Sequence, residues 1–171
     1  FALNAPYNGG THLPDITVVT PVFDAGGETI LFWVASRGHH ADVGGVAPGS
    51  MTPLATSVEE EGVLFDNLRL VAGGRFREAE VHQLLTDHPY PARNPDQNIA
   101  DLKAQVAANA RGAAELRAMI DQFGLEVVQA YMAHVQDNAA AEVARVIGRL
   151  SDGAYEYPTD TGQVIRVKIT V

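Results

Sequence analysis

The chain has 171 residues, 46% hydrophobic and 19% charged, the balance of a soluble globular domain large enough to bury a core. A formal net charge of −9 with no Lys/Arg block argues against a nucleic-acid or anionic-membrane surface, and no apolar run reaches membrane-spanning length. Zero cysteines excludes disulfides, thiolate catalysis and Cys-ligated zinc, and fits a cytoplasmic address.

Residues 1–15 read as a loop rich in Asn, Gly and Pro, entered from a strand at Phe1-Ala2-Leu3 and anchored by Tyr7. Residues 16–23 are β-branched and strand-like, with Pro21 pointing to a sheet edge or a bulge. Asp24-Ala25-Gly26-Gly27 is a turn, and the apolar run 29–35 predicts a strand covered on both faces. A Gly- and Pro-rich loop follows over 36–56, of a length that is usually functional or disordered. Val63-Leu64-Phe65 and Leu68 to Val71 flank Asp66-Asn67 and predict a short hairpin closed by Gly73-Gly74.

Helical spacing then takes over. A helix is predicted over 75–86, with Val81, Leu84 and Leu85 on one side, and a proline-rich connector over 87–94. Asn94-Pro95 opens a long helix whose apolar positions run from Ile99 to Phe123, and Gly124 ends it. A second stripe runs from Val128 to Leu150, so the pair predicts an antiparallel αα-hairpin. Tyr155 to Tyr157, a turn at Asp160-Thr161-Gly162 and an alternating run over 164–171 make a last β-hairpin. The expected class is α+β: a small, mostly antiparallel sheet with the αα-hairpin packed beside it. Its expected parts are a β-rich stretch 1–74, a helical stretch 75–150 and the hairpin 151–171. Phe1 is no initiator methionine and the final strand stops without a cap, which predicts a piece of a longer protein.

The chemistry is concentrated at two places. Gly9-Gly10-Thr11-His12-Leu13-Pro14-Asp15 precedes the first long strand, and Arg37-Gly38-His39-His40-Ala41-Asp42 follows the second. An antiparallel hairpin brings both to one rim, where imidazole and carboxylate groups suit a divalent metal. On spacing alone, His12 and Asp15 serve equally as a metal pair or as a surface histidine beside a turn former. His39 and His40 are adjacent and point to opposite sides of an extended strand, so one of them faces the rim. Asp42 could ligate directly or accept the second ring N–H of a ligating histidine, and the second is the expected role. Arg93, with its planar fork, is a candidate carboxylate binder. Glu59-Glu60-Glu61 reads as a solvated turn. Asn98, Asp101, Gln105 and Asn109 form one polar stripe down the long helix, read as a solvated face or a cleft lining. No phosphate loop with Walker spacing is present.

These strings resemble the hydantoinase B family. The likeness is carried by Asn4 to Asp15, by Ala35 to Gly45, by Pro48-Gly49-Ser50-Met51, and by the run from Arg93-Asn94-Pro95 to Asn109. That family includes the C-terminal part of ATP-dependent 5-oxoprolinase and the B subunit of N-methylhydantoinase, and ketone carboxylase subunits are relatives. The resemblance implies a divalent metal (Mn, Fe or Zn) held by His12, Asp15 and His39. His40, Asp42 and Arg93 are then the candidate catalytic residues. It also implies ATP on a hydantoinase A-like partner subunit or domain, a small cyclic-amide substrate and an oligomeric enzyme in which this piece does not act alone. Relatives commonly carry Asp where this chain has Ala5, which bears on any acid/base role at that position. The expected function is the metal-bearing portion of an ATP-dependent cyclic-amide hydrolase. The alternatives are a fragment of an ATP-dependent ketone carboxylase, or a non-catalytic assembly module whose helices dock a partner.

Overall fold

The β-branched run that opens at Ile16 becomes the middle strand of a three-stranded antiparallel sheet in the computed structural model, which describes every residue from Phe1 to Val171. The strand order is β1 (Ala2–Leu3), β2 (Asp15–Phe23), β3 (Ile30–His39). Because β1 pairs only with Thr17 and Val18, β2 has a free edge at Pro21, where a residue without an N–H is tolerated. The register puts Ile16 opposite Gly38, Val18 opposite Ser36, and Asp15 opposite His39.

Alternation separates the two faces of this sheet. Ile16, Val18 and Val22 are buried, whereas Trp33 is 61% exposed. The expected covering of β3 on both faces is therefore corrected: like most antiparallel sheets, this one packs a single face on the core. The core joins Ile16 and Val18 to Phe65, Leu70, Val81, Leu85 and Leu102.

The hairpin expected around Asp66-Asn67 does not form. Phe65 and Leu68 instead bond to the N-terminal segment, with Asn4 N–H donating to Phe65 O at 2.9 Å and Ala2 N–H to Leu68 O at 2.7 Å. Val63, Phe65 and Leu70 are fully buried, so this segment threads the core. The hairpin lies one turn later, with β4 (Val71–Ala72) and β5 (Arg75–Phe76) around Gly73-Gly74. Tyr7, expected to anchor the first loop, is 87% exposed. Asn4 does the anchoring: its Nδ2 donates to Leu13 O and Val63 O, and its Oδ1 accepts from Phe65 N–H.

Helix α1 (Glu78–Thr86) buries Val81 and Leu85. Helix α2 (Pro95–Phe123) starts where Asn94 Oδ1 accepts the Gln97 N–H and stops at Gly124, whose φ is +82°. Its amide stripe is not solvated. Gln105 Nε2 donates to Ile16 O (2.9 Å) and Ser36 O (3.2 Å), and Asn109 Nδ2 donates to Val18 O (2.9 Å). Gly38 makes room for this, since a Cβ there would stand 3.1 Å from the Gln105 side chain.

The chain forms two compact units, Phe1–Arg117 and Ala118–Val171. The second holds the C-terminal end of α2 from Ala118, helix α3 (Leu125–Ile147), and the hairpin of β6 (Gly153–Pro158) with β7 (Val164–Ile169). The α+β class and the single-glycine break between the long helices are as expected. Along α3, Val128 is buried, and Val135, Val143 and Ile147 are exposed. No helix is long and apolar enough to cross a membrane.

Candidate metal centre

Two loops meet where β2 begins and β3 ends. Pro14 directs the chain into β2, and its carbonyl accepts the His40 N–H at 2.8 Å, which fixes the exit of β3 against the entry of β2. Asp15 and His39 are cross-strand partners on the solvent face, and Asp15 Oδ1 lies 2.7 Å from His39 Nδ1. The His12 ring stacks beside His39 with centroids 5.6 Å apart. The two distant imidazoles and the acid therefore share one rim, as the hairpin argument expects. That hydrogen bond to His39 is the largest influence holding the Asp15 carboxyl below its ordinary range.

The donor atoms are not gathered into a ready cage, and no group of three or more acidic or histidine side chains converges to hold an ion. Asp15 spends one oxygen on His39 rather than standing free. The residues nonetheless fit a metal: an imidazole with one nitrogen on a carboxylate has the other free to ligate, which is how metal-bound histidines are commonly oriented.

His40 points the other way and is buried. Its tautomer follows from its neighbours. Gln105 Nε2 is committed to two backbone carbonyls, so Gln105 Oε1 must accept, and His40 Nε2 donates to it at 3.2 Å. Asn98 Nδ2 donates to Asp42 O (2.9 Å) and to His40 Nδ1 (3.1 Å). The ring is thus neutral with its proton on Nε2, and burial pushes its pKa down. Of the candidate catalytic residues, His40 has both ring nitrogens engaged in the interior, where it braces the rim.

Asp42 and Arg93 form a clamp. Arg93 Nη1 donates to Asp42 Oδ1 at 2.7 Å, Arg93 N–H to Asp42 Oδ2 at 2.8 Å, and Arg93 Nη2 to Gly45 O at 3.0 Å. Asp42 Oδ1 also accepts the Gly44 N–H. Gly44, at φ +86°, lies so close to the connector that a Cβ would fall 2.2 Å from Tyr90 O. Asp42 therefore does not accept from either histidine ring, the role expected for it. Its carboxylate ties the loop after β3 to the start of α2.

On the other side of His12 lies a cleft of about 350 Å³, lined in part by Leu13, Ser50, Met51, Val58 and Glu61. The acidic run is not simply solvated. Glu60 Oε2 accepts from Thr56 N–H and Oγ1, and Glu61 Oε2 accepts from Ser50 Oγ and Met51 N–H. Asn4 and Glu61 have no sequence signal of their own beyond lying in or near the strings that carry the family likeness.

The family described as hydantoinase B/oxoprolinase matches residues 1–171. The chain belongs to this family. It is 43% identical to a 5-oxoprolinase from Dictyostelium discoideum over 98% of this chain and 14% of that protein. It is 40% identical to 5-oxoprolinase 1 of Arabidopsis thaliana over 98% of this chain and 15% of the relative. The crystal structure of an ATP-dependent caprolactamase from Pseudomonas jessenii superposes with a TM-score of 0.75 at 28% identity, covering 98% of this chain and 30% of that one. The chain thus spans about one-seventh of the length of the 5-oxoprolinases it matches.

Proposed function

We propose that this chain is the metal-bearing portion of an ATP-dependent hydrolase of cyclic amides. One observation carries the proposal: His12, Asp15 and His39 come from two separate segments and meet at one rim. The relatives support it, because 5-oxoprolinase and caprolactamase are both named for the hydrolysis of a lactam, and the latter is described as ATP-dependent. A relative named caprolactamase subunit beta, 30% identical over 89% of this chain, supports a partner subunit. The proposal assigns the ATP site to that partner and the assembly to the cytoplasm.

His12 and His39 supply imidazole nitrogens for a divalent cation, with the Asp15 carboxylate beside them. Such a cation supplies Lewis-acid polarisation of a carbonyl. The residues of the chain do the rest. Asp15 sets the orientation of the His39 ring, and His40 braces the strand end on which His39 stands. The Asp42–Arg93 clamp ties the following loop to the start of α2. A lactam carbonyl resists water because of amide resonance, so its activation by ATP in the partner and its polarisation at this rim are complementary demands of the same reaction.

The test is reconstitution of the full-length enzyme with its ATP-binding partner. Wild-type protein is expected to retain a stoichiometric divalent metal and to hydrolyse a lactam only with ATP. His12→Ala and His39→Ala are expected to lose both metal and activity. Full metal content in both variants would overturn the assignment.

A further inference from the structure

The cleft beside His12 is not used by the metal centre. Leu13, Met51 and Val58 give it apolar walls, and His12, Ser50 and Glu61 give it polar groups. Its volume, about 350 Å³, falls in the range of small-molecule sites. Its rim is strained: Ser50 and Met51 have φ of +59° and +57°, a left-handed backbone that residues with a Cβ adopt only when their surroundings impose it. At this turn Glu61 Oε2 accepts both the Ser50 hydroxyl (2.5 Å) and the Met51 N–H. Glu60 fastens the loop further on, at Thr56. Both Glu61 bonds end on Oε2, so Oε1 keeps its capacity to accept a hydrogen bond. Met51 is 76% exposed.

We propose that this cleft receives the ring of the cyclic amide, with Glu61 as a positioning residue and Met51 as the side chain that sets the ring size accepted. The inference rests on the function proposed above and specifies where its substrate binds. A lactam has an apolar arc of methylenes and one amide edge. The arc matches Leu13, Met51 and Val58. The amide N–H is a donor for Glu61 Oε1, and binding in this orientation puts the ring next to His12.

The experiment is steady-state kinetics of the full-length enzyme with its ATP-binding partner on a five-membered and a seven-membered lactam, with metal content measured for each variant. Met51→Ala, made at an exposed side chain, is expected to shift the ratio of kcat/KM toward the larger ring by about tenfold, the scale of discrimination by a methylene or two. Glu61→Gln is expected to raise KM for both rings about tenfold, with kcat and metal content close to wild type. An unchanged ring-size ratio in Met51→Ala overturns the size assignment, and an unchanged KM in Glu61→Gln overturns the positioning role. In both cases the proposed function stands if wild-type enzyme hydrolyses a lactam. Wild-type enzyme that hydrolyses neither ring overturns the proposed function, and this inference with it.

Discussion

Asp15 and His39 are direct partners in the β2–β3 ladder, and the 2.7 Å bond between their side chains makes strand register the device that aims the imidazole. Both side chains are open to water, at 28% and 64% exposure, so the pair contributes little to stability. Its value lies in direction. Asp15→Asn keeps the shape and removes the charge. On the proposed function, metal affinity in a chelator competition is expected to fall about 10–100-fold, the usual effect of removing a hydrogen-bond partner from a metal-bound imidazole. The melting temperature of the same variant is expected to stay near wild type.

The buried His40 gives the protein an acid sensitivity with a definite sign. Burial lowers its pKa from 6.5, so the folded state keeps the ring neutral while the unfolded chain takes up a proton. Between the folded value and 6.5 the unfolded state binds more protons, and stability therefore rises with pH across that window and is lost as pH falls through it. His40→Gln removes the titration. Thermal melts at about pH 7.5 and about pH 5.5 are expected to show the gap between wild type and variant narrowing in acid. A gap that is constant with pH would contradict this.

Asn4 is the polar hub of the first loop, with three backbone partners on two segments. Asn4→Ala strands Leu13 O, Val63 O and Phe65 N–H in the interior, and denaturant unfolding is expected to show a loss of about 3 kcal/mol. Asn4→Asp separates hydrogen bonding from size. A carboxylate has no N–H for the two carbonyls, so this variant is expected to be at least as damaging near neutral pH.

Arg93 uses both arms of its fork, on Asp42 and on Gly45 O. Lysine keeps the charge and cannot make both contacts at once. Arg93 is half exposed, so Arg93→Lys is expected to change global stability by less than about 1 kcal/mol. Hydrogen exchange is the sensitive measurement: the amides of Gly44 and Gly45 are expected to exchange faster, and unchanged rates would show that the clamp does not hold the loop.

Much of this architecture is legible in the sequence because it rests on local rules. Asn94-Pro95 and Gly124 mark the ends of α2, and β-branched residues on either side of Asp24 to Gly27 mark the β2–β3 hairpin. The meeting of His12 with His39 follows from that hairpin. What misleads is information that resides in tertiary partners. Val63 to Leu70 carries the alternation of a hairpin, yet its backbone bonds to residues 2–5, a pairing that no local pattern encodes. The amides at 98, 105 and 109 suggest a solvated face by residue type alone. Their alignment with Leu102 and Ala113, at steps of three and four, was the signal that this face is buried. Which of the two adjacent histidines turns inward depends on Gln105 and Asn98, more than fifty residues away.

The bonds from Gln105 to Ile16 O and from Asn109 to Val18 O match two residues of strand to four residues of helix. An insertion or deletion between Ile16 and Val18 would turn one of these carbonyls to the wrong side and move Asp15 out of step with His39. The spacing from Asp15 to Val18 is therefore a fixed length of chain, and lengthened or shortened versions of this segment should be found only where the pairing of Asp15 with His39 has been abandoned.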